Sequence, residues 1–125
     1  FALVKREIPA LFFLEIDRGT EVISDAEKGV LKCARFYLNY LLSGGYQRYQ
    51  QDFRCAPFKG FRALLVTTSE QRITHIRQAI SRLAVDTRAK QFIWLTEQHR
   101  IQPYSLLQPI WVSADVDDRN IYHIG

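Results

Sequence analysis

Apolar residues gather in short blocks separated by polar turns, and the densest block is residues 11–16. Leu11, Phe12, Phe13, Leu14 and Ile16 are interrupted only by Glu15. A strand facing solvent on one side would alternate apolar and polar residues. This run instead predicts a strand buried on both faces, bounded by Pro9 and Gly19. Ahead of it, Phe1, Ala2, Leu3 and Val4 precede Lys5, Arg6 and Glu7, which predicts a first strand turning through residues 7–9 into a hairpin. The period then lengthens. Val30, Leu31, Ala34, Tyr37, Leu38, Leu41 and Leu42 recur at three- and four-residue steps, predicting a helix over 25–42. Ser24 or Asp25 would cap it, Glu27 or Lys28 would occupy its first turn, and Gly44-Gly45 would end it. Lys28, Lys32, Arg35 and Asn39 form an adjoining polar stripe.

Residues 46–59 lack a period and interleave Tyr46, Arg48, Tyr49, Arg54, Phe58 and Lys59. A connection of this length is expected to serve a function or to move. Residues 61–68 read as a second buried strand. Ser69 then caps a helix running to about Leu83, with Ile73, Ile76, Ala79, Ile80 and Leu83 inward and Arg72, Arg77 and Arg82 outward. Residues 92–96 form a third core strand. Short strands follow at 110–112 and 121–124, around a polar turn at 115–120. The order β-β-α-β-α-β predicts an α/β domain, a mixed central sheet flanked by helices.

Composition changes this picture little. The 125 residues suit one domain with a real core. No apolar run reaches the length of a membrane span and no signal-peptide pattern opens the chain. The chain starts at Phe1 and contains no Met, so it is expected to be part of a longer protein. Cys33 and Cys55 have no paired spacing, which points to free thiols in the cytoplasm rather than to zinc or redox chemistry. Seventeen Lys and Arg against thirteen acids give a net charge of +4, a modest bias toward a polyanion such as nucleic acid.

The candidate chemistry centres on residues 11–21. Glu15 and Asp17 lie two apart and therefore share a strand face. Two carboxylates at the end of a buried strand repel each other unless a cation, donors or water satisfy them. One reading gives them a Mg²⁺ or Mn²⁺ ion that activates water against a phosphodiester. The other pairs them with Arg18, Arg35 or a lysine in a structural network. Lys32, one helical turn before Phe36 and beside the apolar face, is positioned to reach inward and stabilise a transition state. Lys28 reads more simply as part of a solvated helix face. Thr20 and Glu21 either extend the carboxylate cluster or cap the helix. Arg18, Arg48, Tyr49, Arg54 and Lys59 are candidates for contacting a nucleic-acid backbone and stacking bases, although aromatic residues also anchor long loops. His75, His99 and His123 have no metal-ligand spacing. No G-x-S-x-G or Walker-type loop occurs, and Tyr37 and Tyr40 lack the histidines that would support a tyrosine nucleophile.

Phe-Phe-Leu-Glu-Ile-Asp-Arg-Gly-Thr-Glu at 12–21 resembles the signature of the replication-relaxation proteins of plasmids and mobile elements. The resemblance continues through Lys32 and Tyr37, residues 61–68 with Ser69 and Arg72, residues 92–96, and Pro109-Ile110-Trp111. It implies an upstream winged-helix DNA-binding region and, over 1–125, a single nuclease-like domain similar to the PD-(D/E)XK restriction-endonuclease-like fold. Glu15 would match the acid of the second motif of that fold. Asp17 stands where its lysine would be, Lys32 would be a migrated substitute, and the earlier Pro-Asp is not evident. Three functions stand as expectations, the first of them leading. One is metal-dependent DNA nicking by Glu15, Asp17 and Lys32, with Thr20, Glu21 and Lys28 in support. Another is a catalytically silent module that binds DNA or a replication protein. A purely protein-binding domain is a third.

Overall fold

A computed structural model describes residues 1–19, 29–103, 105 and 107–124. Six strands form one sheet in strict chain order: β1 (Ala2–Lys5), β2 (Ile8–Ile16), β3 (Phe61–Thr67), β4 (Ile93–Glu97), β5 (Trp111–Ser113) and β6 (Ile121–Tyr122). β1 runs antiparallel to β2, in a register that pairs Ala2 with Leu11 and Lys5 with Ile8. β2, β3 and β4 are parallel, with Leu11 opposite Phe61 and Ala63 opposite Ile93. β5 and β6 close the other edge antiparallel. The expected α/β class and mixed sheet are both present.

The two parallel steps need crossovers, and helices supply them. α1 (Gly29–Ser43) and α2 (Tyr49–Phe53) lie between β2 and β3. α3 (Glu70–Ser81) and α4 (Thr87–Lys90) lie between β3 and β4. Of the connection expected to be irregular, 45–48 is a short 3₁₀ turn and 49–53 is α2. The helix proposed for 25–42 is described from Gly29 onward; its expected cap at Ser24 or Asp25 lies outside the described residues. Its end is as expected, with Gly44 taking φ 74°, a conformation that costs glycine nothing.

Residues alternate across a strand, so each strand has one face toward the helices. Leu11, Phe61, Ala63, Leu65, Ile93 and Leu95 meet Val30, Leu31, Ala34, Leu38, Ile76 and Ile80 in the main core. The opposite face holds a smaller cluster of Phe12, Leu64, Val66, Trp94, Trp111 and Ile124, with Ile101, Ile110 and Tyr122 against it. The helices thus stack on one face rather than flanking the sheet. The second face is covered from the C-terminal segment, and only in part. Leu14 and Ile16 are 54% and 70% exposed there, which corrects the expectation that residues 11–16 are buried on both faces.

Ser69 caps α3 as its position predicts, its hydroxyl accepting from the Arg72 N–H at 3.2 Å. Ser69→Ala should lower stability by about 1 kcal/mol in urea denaturation; an unchanged midpoint would show that water replaces the cap. The far end of α3 is held by a buried cation. Lys90 donates to the carbonyls of Ser81 and Leu83 at 3.2 and 2.9 Å, capping the last residue of α3 and fastening the turn that follows it. Arg77, expected outward, turns to the carbonyls of Asp115 and Asp118 at 2.6 and 2.7 Å and pins the 115–120 turn beneath α3. Asp118 fastens that turn from inside, accepting from Ser113, Tyr122 and Asn120. Burial raises the Asp118 pKa, but these donors outweigh it and hold the carboxyl below its ordinary value.

Candidate functional site at the end of the second strand

Glu15 and Asp17 project toward the helix layer from the C-terminal end of β2, as their spacing requires. Asp17 extends the parallel ladder one residue past the strand, its N–H donating to the Val66 carbonyl at 2.7 Å. Its side chain is thereby set beside β3 and the first turn of α3. Oδ2 accepts from the Thr67 hydroxyl at 2.7 Å and from Arg72 Nε at 2.5 Å. Oδ1 accepts from Arg72 Nη2 at 3.1 Å and from the Gly19 N–H at 3.2 Å. Gly19 has φ 75°, and a Cβ there would meet the Thr68 side chain at 3.0 Å, so the turn requires glycine. Burial raises the Asp17 pKa, but Arg72, Thr67 and Gly19 together outweigh it and hold the carboxyl below its ordinary 3.8. A carboxylate accepts about four hydrogen bonds, and Asp17 has four.

Glu15 is engaged more lightly. Its Oε1 accepts from the Tyr37 hydroxyl at 2.6 Å, and its Oε2 has no hydrogen bond among the described residues. Tyr37 is raised above an ordinary phenol by burial, then by Glu15. Cys33 is pushed up to about 12 by burial and by the charge of Glu15, so it is a neutral thiol at physiological pH rather than a nucleophile. Glu15, Asp17, Arg18, Cys33 and Val30 line a pocket of about 280 Å³. Lys32 is not among the residues that line it and is exposed on α1. Thr20, Glu21 and Lys28 lie outside the described residues.

Mg²⁺ and Mn²⁺ bind through carboxylates that still have acceptor capacity. In this pair only Glu15 has any, because the bidentate guanidinium of Arg72 already neutralises Asp17. The described residues therefore do not fit a two-carboxylate metal site. They include no group of three or more His, Cys, Asp or Glu side chains able to hold an ion. Of the two readings of the sequence, the ion pair describes Asp17, but its partner is neither Arg18 nor Arg35. It is Arg72, fifty-five residues along the chain and expected to point outward.

The candidate nucleic-acid residues do not share one surface. Arg48 and Tyr49 meet in a cleft of about 430 Å³ with Phe13, Phe36, Tyr37 and Tyr40. There Arg48 lies over the Tyr49 ring at 4.9 Å and donates to its hydroxyl at 2.9 Å. That contact holds the Tyr49 phenol below its ordinary value and raises Arg48. Phe36, which the pattern did not single out, is 58% exposed and stacks on Tyr40 at 5.4 Å. Arg18 borders the carboxylate pocket, Arg54 is exposed at the end of α2, and Lys59 lines a groove on the other face of the sheet. No protein-family model, curated protein or solved structure matches the chain.

Proposed function

We propose that this domain binds DNA without cutting it, as the silent, nuclease-like form of a replication-relaxation module with a restriction-endonuclease-like core. The observation that carries the reading is the open aromatic cleft between α1 and α2. Phe36 presents a ring stacked on Tyr40 to solvent, and Arg48 projects beside it with no carboxylate ion pair among the described residues. Rings that accept stacked bases beside a cation that tracks the backbone are the elements of sequence-tolerant single-strand binding. In this reading Asp17 and Arg72 hold the end of β2 to α3, so the carboxylate at the lysine position of the nuclease motif serves the fold.

The test is fluorescence anisotropy with a labelled oligo-dT strand and with duplex DNA across a salt series. Affinity should fall as salt rises, and Phe36→Ala or Arg48→Ala should each weaken strand binding roughly tenfold. A flat salt response with both variants at wild-type affinity would remove the DNA reading. A second reading, hydrolysis with Mg²⁺ or Mn²⁺, is favoured by the unengaged Oε2 of Glu15 over its pocket. It requires that the wild-type chain nick supercoiled plasmid and that Glu15→Gln not do so. The silent-module reading expects no cleavage from either, with DNA binding retained in Glu15→Gln.

A further inference from the structure

The sheet face turned away from the helices carries a groove of about 760 Å³ along β1, β2 and the start of β3. Leu3, Ile8, Pro9 and Ala10 supply an aliphatic floor, and the same face continues along β2 as exposed Leu14 and Ile16. Ile8 is 65% exposed. Isolated exposed apolar residues need no explanation, but a contiguous apolar face rimmed by charge marks a site of interaction. The rim here has one sign. Lys5, Arg6, Lys59, Arg62 and His123 line the groove, and among the described residues no Asp or Glu does.

Two details show that the cations are built in. Arg62 is the one charge inside β3. Its guanidinium lies over the rings of Phe92 and Trp94 at 4.3 and 5.3 Å, donates to its own strand at the Phe61 carbonyl, and meets no carboxylate among the described residues. Burial lowers its pKa, a cost that a bound anion would relieve. Arg6 sits at the groove mouth in a hairpin turn where both Arg6 and Glu7 adopt positive φ, 50° and 67°. A turn of this kind ordinarily selects Asn and Gly, so the backbone is strained where it presents a cation to the groove.

We propose that this groove docks an acidic, apolar-rich peptide segment of a protein partner. Its apolar side chains lie on Leu3, Ile8 and Ala10, and its carboxylates are met by Arg6, Lys59 and Arg62. The aliphatic floor decides between polyanions. A nucleic-acid strand offers the cations phosphates but leaves Ile8, Leu14 and Ile16 in water, whereas a peptide segment covers them. Arg62 suits a carboxylate because its planar fork binds two oxygens at once and its rings keep it from turning away. This site is separate from the α1–α2 cleft and stands or falls independently of DNA binding there.

The experiment selects phage-displayed random peptides of roughly 16 residues on the 125-residue domain, then measures a synthetic winner by anisotropy at low and high salt. Selected peptides should be enriched in Asp and Glu together with Leu, Ile and Phe. The winner should bind more weakly at high salt and lose roughly tenfold or more in Lys59→Glu, Ile8→Asp and Arg62→Gln. Lys59 and Ile8 are exposed, so their variants keep the fold, which a thermal melt verifies. Peptides without that bias, or equal affinity for the Lys59 and Ile8 variants, would overturn the proposal. So would an oligo-dT strand that displaces the peptide and itself weakens in the same variants, since the groove would then be a nucleic-acid site.

Discussion

Replacing Arg72 with Met should destabilise the domain by about 3 kcal/mol, because the substitution leaves the Asp17 carboxylate buried with its main counter-charge gone. The Asp17 side chain is only 9% exposed, so water cannot take over from the guanidinium. Thr67 and Gly19 still donate to it, which keeps the loss from being larger. The sign of the accompanying pH effect follows from the lowered Asp17 pKa. The folded state favours the ionised carboxyl more than the unfolded chain does, so this stabilisation is fully present above about pH 4 and is lost as pH falls through the folded value. Asp118, also lowered, acts in the same direction. Urea midpoints measured from neutral pH down to about pH 2 should therefore fall steeply in the wild type. The fall should be shallower in Arg72→Met, where Asp17 keeps only Thr67 and Gly19 as donors while Asp118 keeps all of its own. Parallel curves would show that Asp17 gains nothing from Arg72.

The second large effect lies on the other face of the sheet. Trp111 is 1% exposed in the smaller core cluster, and its indole N–H is buried without a partner among the described residues. Trp111→Ala should cost about 4 kcal/mol, from lost burial and the cavity left behind. Trp111→Phe should cost much less, about 1–2 kcal/mol, since it removes volume together with a donor that was already unsatisfied. Calorimetric melting of the two variants separates the contributions. If Phe proves as harmful as Ala, the indole N–H has a partner that matters.

The contrast between these two residues explains what could be read from the chain. Element order followed from apolar density and period: dense apolar runs placed β2, β3 and β4, and the three- and four-residue spacing placed α1 and α3. Which faces are covered did not follow. Residues 11–16 are apolar apart from Glu15, yet the cover over their second face comes from Ile101, Ile110, Tyr122 and Ile124, and it leaves Leu14 and Ile16 exposed. The carboxylate pair was legible as a place, because Glu15 and Asp17 share a face by geometry alone. Its chemistry was not, because a side chain as long as Arg72 can leave the helix edge and return to the sheet, and no local pattern links residues so far apart in the chain. Lys32 lies beside the apolar face of α1 and is exposed, because a lysine can keep its charged end in water while its stem covers apolar surface. Arg62 was the missed signal. A lone charge within Phe-Arg-Ala-Leu-Leu-Val-Thr must be satisfied somewhere, and Arg62 is met by the rings of Phe92 and Trp94.

The strict chain order of the six strands has a consequence for how the domain forms. Each strand pairs with the one before it, so the sheet can grow outward from β2 by additions to a free edge, without threading a late strand between earlier ones. Loop closures stay short under such a plan, and short closures favour fast folding. The Asp17–Arg72 clamp can close as soon as the first turn of α3 is in place, before β4, β5 or the covering C-terminal segment exists. During synthesis, then, the end of β2 can be locked early, while the second face of the sheet waits for the last part of the chain.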